Sequence, residues 1–489
     1  MEKILLDQLK PQSLWAHFSQ FCMIPRPSKH EEAIVAYIRQ QGEQYNAVVE
    51  QDNAGNILLR ISGSAGYENA PITALQSHVD MVAQANSDSK HDFMKDPLKL
   101  QVTDGWVKAT GTTLGADNGI GCAAMLALMT DETVIHGPLE LLFTVDEEAG
   151  MGGAFGLQTD WLKAEQLLNL DTEEEGEIYI GCAGGVDINS TWALQWQQSR
   201  KELIKISLTG LLGGHSGVDI HLNRVNANVL LSQELLTISQ SFEFQIHSFN
   251  GGTLRNAIPR EAFATLFTSD ADALIEWVHS RNAQLGKLYS ASENNLCLTA
   301  EKVSSDNNNA LSNKQSKALL SLFASHPNGI IKNSDALPGI VETSNNLGVI
   351  ILNAGQDLSM FNLCRSANDE ERDAHALRIS QYQQQFGLEV DITGAYPGWQ
   401  PNPESQLLKQ GLDLYQSLFD KEAVIQVIHA GLECGLLSGV YPHCDMISFG
   451  PTITGAHSPR EQVNINSVEK FWKYLIKFIA ELAKVRDSH

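Results

Sequence analysis

The first 186 residues alternate short apolar runs with helix-like stretches. Residues 72–77 (ITALQS), 139–145 (LELLFTV) and 165–170 (EQLLNL) have the length and composition of strands. Residues 119–129 (GIGCAAMLALM) are rich in alanine and leucine and predict a helix between the first two strands. Because strands that alternate with helices usually pair in parallel, this part predicts an α/β fold with a mostly parallel sheet covered on both faces.

Residues 187–394 follow a different pattern. KISLTGL predicts a strand and RVNANVLLSQELLTISQ a helix. FEFQIHSF and IPREAFATLF predict two strands, DADALIEWVHSRNAQLGKLY a second helix, and LCLTAEKV a last strand. This β-α-β-β-α-β order is that of a ferredoxin-like unit. A less regular second half has predicted helices near 313–326 and 369–386 and strands near 341–353, 358–366 and 388–394. We therefore expect an α+β domain with a doubled ferredoxin-like unit.

The first pattern returns after residue 395. LKQGLDLYQSLF predicts a helix, VIQVI and MISFG predict strands, and VEKFWKYLIKFIAELAKV predicts a long amphipathic helix. We interpret the chain as one α/β domain, residues 1–186 and 395–489, interrupted by an inserted α+β domain, residues 187–394. A length of 489 residues suits more than one hydrophobic core.

Charge and cysteine usage narrow the possible partners. The chain has 34 Lys+Arg against 58 Asp+Glu, a net charge of −24. Nucleic acids and anionic membrane surfaces attract basic faces, so neither is expected as a partner. We find no secretion signal and no run of roughly 18 apolar residues. The seven cysteines are scattered and never in CxxC spacing, which is typical of reduced thiols in a cytoplasmic protein.

Histidines and carboxylates gather at the ends of the predicted strands and in the loops that follow. They are His78 and Asp80 in SHVD, Asp117 in GADNG, Glu147 and Glu148 in TVDEEAGMGG, Asp171 in LNLD, and His457 in GAHSPRE. In an open parallel sheet the carboxyl ends of the strands form one crevice, where ligands bind. The sequence therefore predicts that these residues share one site.

The donor set suits a pair of divalent cations. Imidazole nitrogen and carboxylate oxygen are the usual non-sulfur ligands of zinc, and two ions that share a carboxylate can polarise a carbonyl and activate water. Asp117 is the expected bridge, and Asp80 is the expected carboxylate partner of the His78 ring. Of Glu147 and Glu148, one would bind metal and the other would remain a general base.

Each motif has a simpler explanation when taken alone. His-x-Asp occurs in many loops, ADNG has the composition of a turn, and the acidic runs after two of the strands suit solvated loops. The coincidence of these signals at strand ends favours a metal site. Competing motifs are incomplete, because HExxH is absent, GHSGV lacks the spacing of a nucleophile elbow, and Gly150–Gly153 does not complete GxGxxG.

SHVDMV, GADNGIG, TVDEEAGMGG, LNLD and GAHSPRE resemble the motifs of the dinuclear zinc amidohydrolases related to carboxypeptidase G and aminoacylase. IPRPSKHEEAIVAYI, GGHSGVDIH and RSANDEER look like the aminoacyl-histidine dipeptidase branch, also called cytosol non-specific dipeptidases. The resemblance covers the whole chain and shows no departure at a metal position. It implies a zinc-peptidase catalytic domain interrupted by a lid and dimerisation domain.

The resemblance also implies a role for each residue of the site. His78 and Asp171 would hold one metal ion, and Glu148 and His457 the other. Asp117 would bridge the two ions, next to a cis peptide to Asn118. Glu147 would be the general base that takes a proton from the bridging water and passes it to the leaving amine, and Asp80 would orient His78.

For the substrate, the resemblance implies contacts mainly from the inserted domain. His215 would reach the active site of a partner subunit and stabilise the oxyanion, with Asn256 as an accompanying contact; His221 is the alternative to His215. Arg365 would bind the substrate's C-terminal carboxylate, unless it is a surface strand residue. Glu433 is a candidate partner of the substrate's α-amino group, with a structural carboxylate as the alternative.

We therefore expect a cytoplasmic, homodimeric metallodipeptidase that hydrolyses unblocked dipeptides, including Xaa-His peptides such as carnosine. Two divalent cations per subunit are expected, with Zn²⁺ ahead of Mn²⁺ and Co²⁺. The alternative within the family is a deacylase of N-acyl amino acids or an exopeptidase for longer peptides. A non-catalytic binding module is the alternative from another class, although Glu147 and every expected metal ligand are retained.

Overall fold

The computed structural model describes Leu6 and residues 8–484 of the chain. Within that part the chain forms two compact units. The first contains the chain up to residue 181, residues 401–427 and the chain from residue 432 onwards; the second contains residues 182–400 and 428–431. The sequence analysis assigns residues 182–186, 395–400 and 428–431 to the first domain, whereas they fall in the second unit here.

The first part of the chain supplies the parallel strands and the helix on which the predicted site is built. Its elements are α1 (Gln12–Met23), α2 (Glu32–Gln44), β1 (Val48–Gln51), β2 (Ile57–Ile61), β3 (Thr73–His78), β4 (Leu100–Thr103), β5 (Trp106–Ala109), α3 (Ala116–Thr130), β6 (Leu139–Thr144), α4 (Gly152–Phe155), β7 (Gln166–Asn169) and β8 (Glu177–Cys182).

The middle of the chain alternates strands and helices in two similar groups. Its elements are β9 (Gly184–Trp192), β10 (Trp196–Gln198), β11 (Glu202–Thr209), β12 (Gly214–His215), α5 (Ala227–Ile238), β13 (Phe244–Gly251), β14 (Ala257–Ile258), β15 (Ala262–Thr268), α6 (Ala271–Leu288), β16 (Cys297–Val303), β17 (Asn309–Leu311), α7 (Asn313–Ala324), β18 (Gly329–Asn333), β19 (Val341–Leu352), β20 (Leu358–Ser366), α8 (Asp369–Gln384) and β21 (Glu389–Tyr396).

The last part of the chain returns to the first unit. Its elements are α9 (Gln406–Phe419), β22 (Val424–Ile428), α10 (Glu433–Val440), β23 (Asp445–Ser448), β24 (Ile453–Thr454), β25 (Gln462–Asn464) and α11 (Ile465–Leu482). The predicted long helix is therefore present, although Val485, its last predicted residue, lies outside the described residues. The short helix α10 was not predicted from the sequence.

An eight-stranded sheet with the order β1-β2-β6-β3-β7-β23-β8-β22 forms the centre of the first unit. Its middle strands, β6, β3, β7 and β23, run parallel, whereas β1, β2 and β8 pair antiparallel. Every residue of β3 and β6 is buried, as expected for parallel strands covered on both faces. The predicted α/β fold with a mostly parallel sheet is confirmed.

Helix α3 packs closely against α1 and β3, and nearly all of its residues are buried. Two glycines permit this approach. A Cβ atom at Gly121 would lie 2.8 Å from the Leu170 carbonyl oxygen, and one at Gly119 would lie 3.2 Å from Phe18 Cε2 in α1. Gly115 serves the turn before the helix, since its φ of +67° is one that a residue with a Cβ rarely adopts. The glycines of GADNGIG therefore set how closely this helix approaches the sheet.

A nine-stranded antiparallel sheet forms the second unit. Its main order is β16-β11-β15-β13-β19-β20-β9-β21, with β18 paired to β19. Strands β16-β11-β15-β13 have the ferredoxin-like order, and β19-β20-β9-β21 repeat it. The hydrophobic core packs helices such as α5, α6 and α7 on this sheet through Leu230, Leu274 and Leu319. The doubled ferredoxin-like arrangement predicted from the sequence is thus present.

The first strand of the repeated half, β9, was missed by the sequence analysis. Its sequence, GGVDINSTW, contains glycine, aspartate and asparagine, which have low strand propensity. It forms a strand because β20 and β21 pair with it on its two edges. Tertiary pairing therefore overrides local propensity here.

None of the helices among the described residues is long and apolar enough to cross a membrane.

A buried chain of hydrogen bonds joins β9, α8 and the segment after α7 in the second unit. Ser190 Oγ donates to Gln383 Oε1, and Gln383 Nε2 lies 3.0 Å from His326 Nε2. His326 Nδ1 lies 2.9 Å from the Pro327 carbonyl oxygen. The Gln383 amide must donate, so His326 accepts at Nε2 and carries its proton on Nδ1. Burial lowers the pKa of His326 to about 4, because the charged ring loses its hydration.

We expect acid to destabilise the second unit through His326. The ordinary pKa is 6.5 and the folded pKa about 4. This contribution to stability is therefore complete above pH 6.5 and is lost as the pH falls towards 4. At pH 5 the loss of this contribution lowers the free energy of unfolding by about 2 kcal/mol relative to pH 7.5.

Urea unfolding followed by hydrogen exchange of β9 and α8 measures this difference. His326→Gln should lose less stability between the two pH values than the native protein, whereas His279→Gln, at an exposed position, should match it. Equal losses in both variants would contradict the assignment.

Candidate metal centre

The predicted ligands lie together at the carboxyl edge of the parallel strands of the first unit. His78 is the last residue of β3, Glu147 and Glu148 follow β6, and Asp171 follows β7. The register of the sheet places His78 opposite Thr144 and Gln76 opposite Asn169, so these strand ends lie side by side. Asp117 comes from the first turn of α3. His457 lies in the loop between β24 and β25, which pair as a hairpin.

Asp117 presents one carboxylate oxygen to each histidine. Its Oδ1 lies 3.2 Å from His78 Nε2, and its Oδ2 lies 3.2 Å from His457 Nε2. The next peptide bond, Asp117–Asn118, is cis. Because its two oxygens face different histidines, Asp117 is the candidate for a ligand shared by two ions.

Each histidine also faces a second carboxylate. His78 Nε2 lies 3.3 Å from Asp171 Oδ1, and His457 Nε2 lies 3.1 Å from Glu148 Oε2. The groups thus form two sets that share Asp117, which is the division expected from the resemblance. Donor atoms of His78, Asp117 and Glu148 also lie within 4.8 Å of one another, so the two sets are adjacent.

Asp80 connects the strand that carries His78 to the acidic turn. Its Oδ1 lies 3.3 Å from His78 Nδ1 and accepts the Glu147 N–H, and its Oδ2 accepts the Glu148 N–H, both at 3.1 Å. Ser28 Oγ donates to Oδ2 at 2.7 Å. Burial raises the pKa of Asp80, but these hydrogen bonds outweigh burial and hold the pKa below its ordinary value. The carboxylate is therefore charged and able to orient three residues of the site.

The remaining carboxylates have pKa values that reflect their burial and mutual repulsion. Burial raises the pKa of Asp171 to about 6, and Asp117 and Glu148 add to the rise. Burial likewise raises the pKa of Glu147 well above its ordinary value, with contributions from Asp171, Glu433 and Glu148. Glu173, in the loop after Asp171, has its pKa raised to about 8 by burial and by Asp117. A concentration of buried negative charge of this kind is relieved by binding cations.

The histidines show the same excess of negative charge. Burial lowers the pKa of His78, but Asp171, Asp117 and Asp80 together raise it well above its ordinary value. Hydrogen bonds to Asp117 and Glu148 raise the pKa of His457 to about 11. In both rings, protons are stabilised at the Nε2 atoms that face two carboxylates. A divalent cation would compete for these positions and satisfy the same groups.

The residues present fit divalent metal ions. Imidazole nitrogens and carboxylate oxygens are the donors that zinc, manganese and cobalt accept. Glu148 Oε1 is buried and has no hydrogen-bond partner among the described residues, so it too is available as a ligand. The first unit therefore contains a candidate metal centre, and its shared carboxylate suits two ions.

Backbone geometry around the site is unusual at two functional loops. Asp146, just before Glu147, has a φ of +54°, and His457 has a φ of +59°. Residues other than glycine rarely adopt this region, and those that do are concentrated at functional sites. The Asp146 N–H donates to Glu31 Oε1, which helps to hold the acidic turn in this conformation.

Two buried charged residues beside the centre lie within the sequence motifs, but no role was predicted for them. Glu461 is the last residue of GAHSPRE and is 2% exposed; Arg26 lies in IPRPSKHEE and is 1% exposed. Both contact the backbone that precedes Asp117. Their position within a motif was the only indication in the sequence that these residues belong to the site. The contacts of their side chains are visible only in the folded structure.

The predicted lid residues His215 and Asn256 are neighbours in the second unit. β12 and β14 pair so that His215 faces Ala257, and the Ser216 N–H donates to the Asn256 carbonyl oxygen at 2.8 Å. The N–H groups of Gly217 and Val218 both donate to His215 Nδ1, at 3.1 and 3.0 Å. The neutral ring therefore carries its proton on Nε2. His221 differs, since its Nδ1 lies 2.9 Å from the Val218 carbonyl oxygen and must donate to it.

Arg365 and Asn256 line one open cavity of about 600 Å³ in the second unit, together with Asp187, Arg255 and Tyr396. Arg365 is 5% exposed, so it does not occupy a surface strand position. Its Nη1 donates to Tyr396 Oη at 2.8 Å, and its Nε is buried without a partner among the residues described. Arg255 forms an ion pair with Asp187.

Glu433 begins α10 and is completely buried. Gln76 Nε2 and Thr144 Oγ1 both donate to its Oε2, at 2.6 Å. Burial raises the pKa of Glu433 to about 7. These contacts match the structural alternative for Glu433, and its contact with a substrate amine stays a prediction.

An α/β sheet with paired histidine–carboxylate sets at its carboxyl edge suits a metal-dependent hydrolase. The model of peptidase family M20/M25/M40 matches residues 74–481. The cytosol non-specific dipeptidase of Escherichia coli (strain K12) is 46% identical over 481 residues, which cover 98% of this chain and 99% of that protein. The chain therefore belongs to peptidase family M20/M25/M40 and is a metallopeptidase.

Solved structures agree with this assignment. The aminoacylhistidine dipeptidase from Vibrio alginolyticus matches with a TM-score of 0.89 at 39% identity, covering 98% of this chain and 99% of that chain. An aminopeptidase from Bacillus cereus shares the fold, with a TM-score of 0.58 at 14% identity over 97% of this chain and 100% of that chain.

We expect Asp80→Asn to weaken metal binding. An asparagine has only one acceptor oxygen, and its NH₂ group would face N–H groups whose hydrogen bonds the aspartate now accepts. His78 and the acidic turn would therefore lose their orientation. Loss of such a carboxylate typically lowers metal affinity about 10–100-fold. Competition with a chromophoric zinc chelator measures the affinity, and Asp88→Asn, at an exposed position, is the control. Native affinity in Asp80→Asn would show that the carboxylate has no orienting role.

Proposed function

We propose that this protein hydrolyses unblocked dipeptides, including Xaa-His peptides, at the centre around Asp117. The observation that carries the proposal is the sharing of one carboxylate by two histidines, each of which faces a further carboxylate. Dipeptide specificity is supported by the two relatives described above, a cytosol non-specific dipeptidase and an aminoacylhistidine dipeptidase. The proposed location is the cytoplasm, as the name of the first relative suggests.

Two divalent cations, with zinc ahead of manganese and cobalt, are proposed as the cofactors. His78 and Asp171 would hold one and Glu148 and His457 the other, with Asp117 shared. The chemistry that such cations supply is polarisation of the peptide carbonyl and acidification of water.

Glu147 is proposed as the general base. Asp80 holds its backbone N–H, and the Glu147 side chain forms no hydrogen bond within the described part of the chain, so the carboxylate can face a reacting water molecule. Glu147 would take a proton from the attacking water and return it to the leaving amine.

The second unit is proposed to bind the substrate and to form a homodimer. His215 would donate its Nε2–H to the developing oxyanion in the active site of a partner subunit, since its Nδ1 is already occupied as an acceptor. Arg365 would bind the substrate's terminal carboxylate, because a buried guanidinium in an open cavity suits a carboxylate. Asn256 lines the same cavity and would add a polar contact.

The reaction is tested with β-Ala-His, Gly-His and N-acetyl-Gly-His, with and without a chelator. We expect cleavage of the two peptides with free amines only, loss of cleavage after metal removal, and recovery when zinc is added back. Cleavage of the acetylated peptide would instead indicate a deacylase. No turnover by a protein that carries bound metal would contradict an enzymatic role and favour a binding module.

Glu147→Gln is expected to lower kcat about 100- to 10,000-fold, the range associated with loss of a general acid–base. The amide keeps the size of the side chain but cannot accept the proton. Metal content measured by plasma mass spectrometry should remain that of the native protein, and Glu132→Gln, at an exposed position, should retain native kcat. A loss of bound metal together with activity would indicate that Glu147 is a ligand instead of a base.

A further inference from the structure

Glu461 accepts hydrogen bonds from four consecutive backbone N–H groups. Its Oε2 accepts from Leu114 and Gly115, at 2.7 and 2.8 Å, and its Oε1 accepts from Ala116 and Asp117, at 2.7 and 3.3 Å. These groups lie at the amino end of α3, where backbone donors have no partner within the helix. A buried carboxylate at this end is also favoured by the helix dipole. Glu461 therefore holds the backbone at the residue that presents the shared carboxylate.

The same glutamate belongs to the loop that carries His457. Residues 455–461 connect β24 and β25, and β25 in turn pairs with β5. Within the loop, the Glu461 N–H donates to the Ser458 carbonyl oxygen and Ser458 Oγ donates to Gly455. One side chain thus joins the loop of His457 directly to the backbone of Asp117.

Arg26 holds the opposite side of this backbone. Its Nη2 donates to the Gly115 carbonyl oxygen, while the Gly115 N–H donates to Glu461. Its Nη1 donates to the carbonyl oxygens of Val79 and Asp80, both at 2.9 Å. The buried negative and positive charges therefore hold Gly115 through the two peptide groups on either side of it, and Arg26 extends this contact to the residues that follow His78.

The two histidines depend on these contacts to different degrees. His78 ends a fully buried strand, has a side chain that is 1% exposed and lies next to Asp80. The His457 side chain is 56% exposed and projects from a hairpin loop. Loss of the Glu461 anchor should consequently displace His457 relative to Asp117 most, whereas His78 keeps its support from Asp80 and from its buried strand.

We infer that Glu461 is a positioning residue that sets the separation of His457 and Asp117, and with it the cation position formed by Asp117, Glu148 and His457. This inference rests on the proposed dinuclear centre. Glu461 lies too deep to be a surface charge, and all its hydrogen bonds go to backbone groups of the ligand-bearing segments. It acts on the metal centre through the backbone and does not contact the reacting atoms.

The inference is tested with the full-length protein after metal removal, by titration with Zn²⁺ against a fluorescent chelator and with Co²⁺ followed by visible absorption. We expect two binding events in the native protein. In Glu461→Gln, where an NH₂ group replaces one acceptor oxygen, one event should weaken about 10–100-fold and the other should change less than about threefold. The Co²⁺ spectrum should lose the contribution of the weakened position. Glu469→Gln, exposed on α11, should match the native protein.

Equal weakening of both events in Glu461→Gln, or native affinity for both, would overturn the inference while leaving the dinuclear centre intact. Fewer than two cations bound by the native protein would instead overturn the dinuclear proposal and this inference with it. Glu461→Asp keeps the charge but withdraws the carboxylate by one methylene, and it should show the same selective weakening to a smaller degree. Glu461→Asp replaces Glu461→Gln as the test if the latter does not yield folded protein. Unchanged metal affinities in Glu461→Asp would then reject the positioning role.

Discussion

The carboxylate of Asp80 is the contact on which the arrangement of the centre depends. It lies against the ring of His78 and accepts hydrogen bonds from the N–H groups of Glu147 and Glu148, so one buried charge orients a proposed metal ligand from β3 and the turn that follows β6. Three adjacent acidic residues would otherwise repel one another. Here the carboxylates of Asp80 and Glu31 hold the backbone of residues 146–148, and the side chains of Glu147 and Glu148 are left for the different roles proposed for them.

Concentrated negative charge is the second constraint on this unit. Burial and neighbouring acids raise the pKa values of Glu147, Asp171 and Glu173, so the folded protein bears an electrostatic cost in the region of the centre. Backbone N–H groups that donate to Asp80 and Glu461 stabilise these two neighbouring carboxylates, and bound cations would relieve the repulsion among the others. The same charge that opposes folding thus favours metal binding, as is common at functional sites.

Much of the fold could be predicted because its elements have strong periodicity. Buried parallel strands such as β3 and β6 are nearly continuous apolar runs, and residues 119–129 of α3 are an uninterrupted stretch of small and apolar residues. Strand β9 could not be predicted, since its polar sequence becomes a strand only when β20 and β21 pair with it. The role of Glu461 was equally inaccessible, because its partners are backbone groups that carry no signature in the sequence.

By itself, the sequence determined the ligand types, their places at strand ends and the family motifs, since these follow from residue chemistry and local periodicity. Only the tertiary structure decided which oxygen of Asp117 faces which histidine, that Glu433 is enclosed by Gln76 and Thr144, and that His215 carries its proton on Nε2. The physical reason is that hydrogen-bond partners, tautomers and charge environments arise from atoms brought together by folding. No local pattern encodes those distances.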